Sequence, residues 1–335
     1  MTEINRQFLL AARPQGMVKV SDFEYREVPI PQPSDGEVLV RTSHISLDPS
    51  MRGQMENRAD YVAPLQIGDV MRAGAVGRVV DSHHPDFPEG CLVGGTFGMQ
   101  DYVVSDGRRL PLRRFDDDVA PEEALGILGG TGMTAYFGLL DVGKPNDGDV
   151  VVISGAAGAT GSIAGQIARI QGCRVVGIAG SAEKCRWLTD ELGFDAAIDY
   201  KREDVSAALD THCPDGIDIY FDNVGGETLD LCLARIRDRA RVVLCGGISR
   251  YNATGELAGP KNYFNLVFRR ARMEGFIVLD YAARFPEAAR QMREWMREGR
   301  LRQRVTVVEG FQELPRALIR LFEGYNIGKL MVKTH

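Results

Sequence analysis

Apolar residues follow two different rhythms along this chain, and the change falls near Pro121. Before it, short apolar stretches are separated by turn-formers, as in REVPIPQPSDGEVLVRTSHISL. There Pro29, Pro31 and Pro33 hold an extended connection, and Asp35-Gly36 turns the chain into a strand over Glu37 to Ser43. Further strands are predicted over Ala75 to Asp81 and Gly98 to Val104, so the first third reads as an irregular β-rich domain. After Pro121, APEEALGILGGTGMTAYFGLLDVG carries apolar residues at helical spacing, with Glu122 and Glu123 near a helix start, where the dipole favours them.

An ordered alternation follows. Strands are predicted over 149–154, 173–178, 196–199, 217–222 and 241–245, with helices over 161–171, 182–192, 203–212 and 227–237 between them. Such a series builds a parallel sheet covered by helices on both faces. Phe276 to Leu279 is a further strand candidate, PEAARQMREWMREG an amphipathic helix, and RQRVTVVEGF returns to β texture. The tail from Glu313 holds a helix and a last strand, GKLMVKTH. The expected class is α/β: a β-rich domain over 1–123, a parallel-sheet domain over 124–308, and a tail, 309–335, that rejoins the first domain.

At 335 residues, 44% hydrophobic and 26% charged, the chain can bury cores for two domains. A net charge of −6 creates no general attraction to nucleic acid or to an anionic membrane, so neither is an expected partner. No stretch reaches the roughly 20 apolar residues of a membrane span, and MTEINRQFLL has no long apolar run after a basic segment. A cytoplasmic location is expected. The six cysteines, at 91, 173, 185, 213, 232 and 245, include no CxxC pair and read as buried free thiols.

The strongest chemical signal is DVVVISGAAGATGSIAGQIARIQGCRVVGIAG. Gly155, Gly158 and Gly161 stand between an apolar strand and an apolar-periodic helix, followed by a second strand. Glycines there permit a tight turn, close approach of backbone to a pyrophosphate, and close helix–strand packing, while the helix amino end receives the anion. No lysine follows Gly161, so a phosphate-binding NTPase loop is excluded. The second strand ends Gly177-Ile178-Ala179-Gly180-Ser181, without the acid that accepts ribose hydroxyls in NAD sites. Lys184 and Arg186 lie just beyond, with Ser181 as a hydroxyl donor, and a cation there suits the extra phosphate of NADP. Asn223, and the run Cys245, Gly246, Gly247, Ile248, Ser249, follow later parallel strands, where open α/β sheets bind ligands.

Taken together, DPSMRG, GMTAYFGL, GAAGATGSIAGQIA, AGSAEK, FDNVGG, CGGIS followed by RYN, and NIGK resemble the zinc-independent medium-chain dehydrogenase/reductases. Within that family the resemblance is to the prostaglandin reductase and leukotriene B4 dehydrogenase group, with its bacterial curcumin-reductase-like members. It implies a GroES-like first domain, a Rossmann-type NADPH domain and a homodimer. Its cofactor positions carry over to Gly158, Ala159, Thr160 and Gly161 at the pyrophosphate, Lys184 and Tyr200 at the adenosine phosphate, and Asn223 beside the ribose. Cys245 through Tyr251, including Arg250, then Phe276, Ile277 and Val278, and Asn326, complete the cofactor wall by the same resemblance.

The wider family contains zinc alcohol dehydrogenases, whose sites use two cysteines and a Gly-His-Glu segment. The corresponding stretches here read SLDPSMRG and IGDVMRAG, with neither cysteine nor histidine. His83 and His84 sit on a polar turn without a third ligand, so no metal is expected. Without a Lewis acid, reduction of an α,β-unsaturated ketone or aldehyde is the better-suited chemistry: hydride goes to the β-carbon and the charge spreads into an enolate that a hydroxyl can hydrogen-bond. Tyr251 and Tyr61 are the candidate donors, and in part of the group tyrosines resembling both line the substrate site. Arg52 is open between a pocket contact and a structural salt bridge. Quinone reduction, and a non-catalytic NADPH sensor, are the alternatives.

Overall fold

The computed structural model describes residues 4–58 and 61–335 and divides into two compact units, residues 1–126 with 305–335, and residues 127–304. The first unit opens with a hairpin, β1 (Ile4–Leu10) on β2 (Phe23–Pro29). Its main sheet uses β3 (Val38–Ser46), β4 (Ala75–Ser82), β5 (Leu92–Gly95), β6 (Tyr102–Ser105) and the short β7 (Arg113–Arg114). Gly98, where a strand was expected to begin, stands at φ +78°, and the ladder starts at Tyr102 instead.

The second unit holds β8 (Val150–Ser154), β9 (Arg174–Ala179), β10 (Ala196–Asp199), β11 (Ile217–Asp222), β12 (Ile236–Leu244) and β13 (Arg272–Gly275). They form one parallel sheet in the order β10-β9-β8-β11-β12-β13. Val151, Val152 and Ile153 are fully buried, as expected of a central strand covered on both faces. The chain builds outward on one side of β8 through β9 and β10, then crosses to β11 on the other side. The crevice beyond β8 and β11 is therefore the topological switch point, where such sheets take their ligands.

Two expectations fail at this sheet's edge. Phe276 to Leu279 is not a strand: pairing ends at Gly275, and Val278–Arg284 winds as a 3₁₀ helix. An outermost strand buries only part of its surface, so Arg272 and Glu274 of β13 gave a polar pattern that concealed it. The helix expected over 227–237 stops at Leu233, because β12 starts early, at Ile236, with Arg239 in a left-handed turn at φ +62°.

The last strands, β14 (Val305–Glu309) and β15 (Lys329–Lys333), belong to the first unit, so its second segment starts at 305 rather than 309. β15 pairs with β3 and with β14. Phe311, Leu314, Leu318, Leu330 and Val332 enter the same core as Val38, Val40 and Ile45. Buried Lys329 fastens the tail, donating from Nζ to Leu47 O at 2.9 Å and to Asp48 Oδ1 at 2.8 Å.

Candidate nucleotide and substrate site

β8 ends at Ser154 and the chain turns at Gly155, which sits at φ +58°, a conformation that only glycine adopts without strain. The helix Ala159–Ile170 begins after Gly158, whose N–H bonds Gly155 O at 2.9 Å. A Cβ on Gly161 would lie 2.5 Å from Gly155 O and 2.9 Å from Ala156 Cα, so the helix can sit this close to the strand only with glycine there. At Gly158 a Cβ would meet only Gly155 O, at 3.1 Å. The cap has no side chain to satisfy the first-turn N–H groups of Ala159, Thr160 and Gly161, which leaves a backbone cradle suited to a pyrophosphate.

One strand away, Ser181 caps the helix Ala182–Arg186, its Oγ accepting from Lys184 N at 3.3 Å. Lys184 is partly buried, and its ammonium pKa is lowered first by burial and then by the neighbouring charge of Lys201. Lys201 thus places a second positive charge near Lys184. Tyr200 lies with them: a Cβ on Gly180 would come within 2.8 Å of its ring, and Lys201 Nζ stands 6.0 Å from that ring's centroid. Glu183 pairs with Arg304 at 3.4 Å and offsets part of the Lys184–Lys201 repulsion. Sequence reasoning missed Lys201. The adjacency of β9 and β10 that brings it to Lys184 is a tertiary fact, and only its place beside Tyr200 hinted at it.

The tips of β8, β11 and β12 are organised by one buried carboxylate. Asp222 Oδ1 accepts from Ser154 Oγ (2.9 Å), Tyr220 Oη (2.7 Å), Val224 N (3.0 Å) and Gly225 N (2.9 Å), while Asp222 O receives Cys245 N and Gly246 N. Asn223 donates from Nδ2 to Ser154 O at 2.7 Å, so its amide N–H first serves to tie β11 to β8. Ile248 N and Ser249 N bond Asn223 O and Val224 O, and Ser249 Oγ donates to Val224 O at 2.6 Å. The run from Cys245 to Tyr251 is thus laced onto the loop that carries Asn223.

Tyr251 closes this run. Its hydroxyl accepts from Gly247 N at 3.3 Å, and burial raises its pKa, so the phenol keeps its proton at neutral pH and can donate it. Cys245 is held as a thiol, pushed up to about 12 by burial and the charge of Asp222. Phe276 packs against Gly138, where a Cβ would meet its ring at 2.5 Å, and Ile277 and Val278 follow, partly buried.

The remaining candidates belong to the first unit. Tyr61 is half exposed. Asn326 is buried and spends its Nδ2 on Gly328 O, at 2.7 Å. Arg52 is a structural clamp: it donates to Gly16 O (3.2 Å) and Pro14 O (3.0 Å) and pairs with Glu56. Among the described residues, no group of three His, Cys, Asp or Glu side chains is arranged to hold a metal. In SLDPSMRG, the stretch without the zinc-site cysteine, Asp48 is bonded to Lys329 and Ser46. This donor set does not fit a zinc ion.

The architecture and the glycine cradle define a nicotinamide-dependent oxidoreductase. Family models described as "N-terminal domain of oxidoreductase" and "Zinc-binding dehydrogenase" match residues 6–111 and 159–294. The chain belongs to the medium-chain dehydrogenase/reductase family. It is 42% identical to the NADPH-dependent curcumin reductase of Escherichia coli, over 98% of this chain and 97% of that one. It is 40% identical to the NADP(+)-dependent 2-alkenal reductase of Nicotiana tabacum, over 98% and 97%. The crystal structure of CurA from Vibrio vulnificus in complex with NADPH superposes with a TM-score of 0.93 at 42% identity, covering 98% of this chain and 99% of that one.

Proposed function

We propose that this protein is an NADPH-dependent reductase of α,β-unsaturated ketones and aldehydes that saturates the carbon–carbon double bond and leaves the carbonyl in place. NADPH, when bound, supplies the hydride. The residues present fit it: the first-turn N–H groups of Ala159, Thr160 and Gly161 for the pyrophosphate, Lys184, Lys201 and Tyr200 for the 2′-phosphate, and Asn223 for the ribose. The observation that carries the reaction class is Tyr251, a partly buried phenol that keeps its proton and already accepts one hydrogen bond. Such a group donates to an oxygen on which charge develops, and that contact strengthens as the enolate forms. Tyr61 is our second candidate donor, from the first unit. The enolate then takes its α-proton from solvent.

Product analysis with NADPH deuterated at the transferred C4 position tests this. Deuterium at the β-carbon of a saturated ketone or aldehyde is expected. An allylic alcohol labelled at the carbonyl carbon would overturn the assignment, and turnover of quinones alone, or of no acceptor at all, would favour the quinone-reducing or sensor alternative. Tyr251→Phe should lower kcat/KM for the enone by more than it weakens NADPH binding.

We further propose a cytoplasmic homodimer. Six free thiols suit a reducing compartment. For the dimer, the support is β13, the last strand of its sheet, whose outer edge no other strand covers among the described residues. Arg272 and Glu274 flank Met273 and lie 3.5 Å apart. Antiparallel pairing of two copies about Met273 sets Arg272 of one opposite Glu274 of the other, twice. Tyr263, Phe264, Val267 and Phe268, all more than half exposed, add apolar surface in the same unit.

A further inference from the structure

We propose a second binding site, for a small carboxylate with an apolar body, on the outer face of the first unit's sheet. A cleft of about 560 Å³ lies over β3, β4 and β6, a volume within the range of small-molecule pockets. Leu39 of β3, Val80 of β4 and Ile30 of the connection after β2 give it an apolar part. Val80 is 42% exposed, an apolar side chain left partly open on the sheet face.

Three polar side chains of the lining are unspent, and Asp81 at the rim is the fourth polar group there. Among the described residues, the side chains of Arg41, Tyr102 and Gln32 form no hydrogen bond or ion pair, although all three line the cleft. The register explains why this matters for Arg41. It stands directly opposite Arg78 on β4 and opposite Tyr102 on β6. Like charges facing each other across neighbouring strands are unfavourable. Arg78 finds Gly90 O at 2.6 Å, and Asp101 is bonded by the Arg6 guanidinium, while Asp81 lies at the cleft's rim, 3.6 Å from His83. Burial first, then the charge of Arg41, holds the His335 imidazole below its usual pKa, with Asp101 and its partner Arg6 acting in opposite directions.

An anion is therefore what the cleft lacks. A carboxylate matches the planar guanidinium fork of Arg41 and can also accept from the Tyr102 hydroxyl and the Gln32 amide. An alkyl or aryl body then covers Leu39 and Val80, which a bare inorganic anion would leave wet. The site lies apart from the loop bearing Asp48 and Arg52: five strand residues from Arg41 to Ser46 separate them by roughly 16 Å.

Calorimetric titration of octanoate into the NADP⁺-saturated protein at fixed ionic strength tests the site. One octanoate per chain is expected, with affinity lowered at least tenfold by Arg41→Gln and by Val80→Asp, and unchanged by Tyr251→Phe. Both cleft variants should reduce a neutral enone at the wild-type rate. The proposal is overturned if octanoate binds Arg41→Gln as it binds the parent, if a saturating enone displaces it, or if inorganic phosphate binds as tightly as octanoate.

Discussion

At the scale of single residues, the proposed role of Lys184 at the 2′-phosphate rests on its surroundings. Its ammonium is destabilised by burial and by Lys201, and a bound phosphate would offset both with its opposite charge. Replacing Lys184 with alanine should raise the KM for NADPH at least tenfold, in line with about 1.5–3 kcal/mol for a charge-assisted hydrogen bond, and leave the KM for NADH nearly unchanged. Equal effects on the two cofactors would refute the assignment. The lowered pKa also sets a pH dependence. Phosphate binding favours the protonated lysine, so binding takes up protons at alkaline pH, and affinity falls as pH rises through the depressed value. The NADPH KM should therefore begin to climb at a lower pH than an ordinary lysine would give, while the NADH KM stays flat over that range.

Among elements, the glycine turn between β8 and the helix Ala159–Ile170 is the most constrained. The would-be neighbours of a Gly161 Cβ are backbone atoms, which cannot swing aside. Gly161→Ala should cost about 1–3 kcal/mol by overpacking and should weaken NADPH binding as the helix start is displaced. Thermal unfolding and cofactor titration check the two effects, and a variant with parental stability and affinity would contradict the packing argument.

This element was legible in the sequence because its signals are local: a continuous apolar run, glycines every third residue, then helical periodicity. The buried strands β9 and β11 were legible for the same reason. β13 was not, since an edge strand carries charges, and the apolar Phe276 to Leu279 beside it imitated a strand while forming the turn that follows. The site was legible where one stretch carries it, as at Gly158 through Gly161. It was hidden where two stretches meet. Lys201 reaches Lys184 only through strand order, and the several bonds to Asp222 depend on side-chain directions that no spacing reveals. The fates of Arg52 and of the Asn326 amide likewise depend on neighbours that the fold supplies.

For the whole molecule, two outcomes are expected. If β13 joins two copies, Glu274→Arg should give monomers, because it sets arginine against arginine. The exchange Arg272→Glu with Glu274→Arg should restore the dimer in light scattering, and a persistent dimer in the single variant would dismiss this edge as the interface. Exhaustive chelation should leave enone reduction intact. Stoichiometric zinc whose removal abolishes turnover without unfolding would reverse the conclusion drawn from the donor set.

The thiols carry a last consequence. Enones and enals are soft electrophiles that alkylate thiolates, so an enzyme working on them is exposed to its own substrates. In this chain all six cysteines have raised pKa values, with burial the first cause in each. Cys245 lies in the loop laced to Asn223, where contact with substrate would be most damaging, and at about 12 it presents roughly a thousandfold less thiolate than an ordinary cysteine. The packing that seats the cofactor loop also makes the protein a poor Michael donor, which lets it persist in the presence of the compounds it removes.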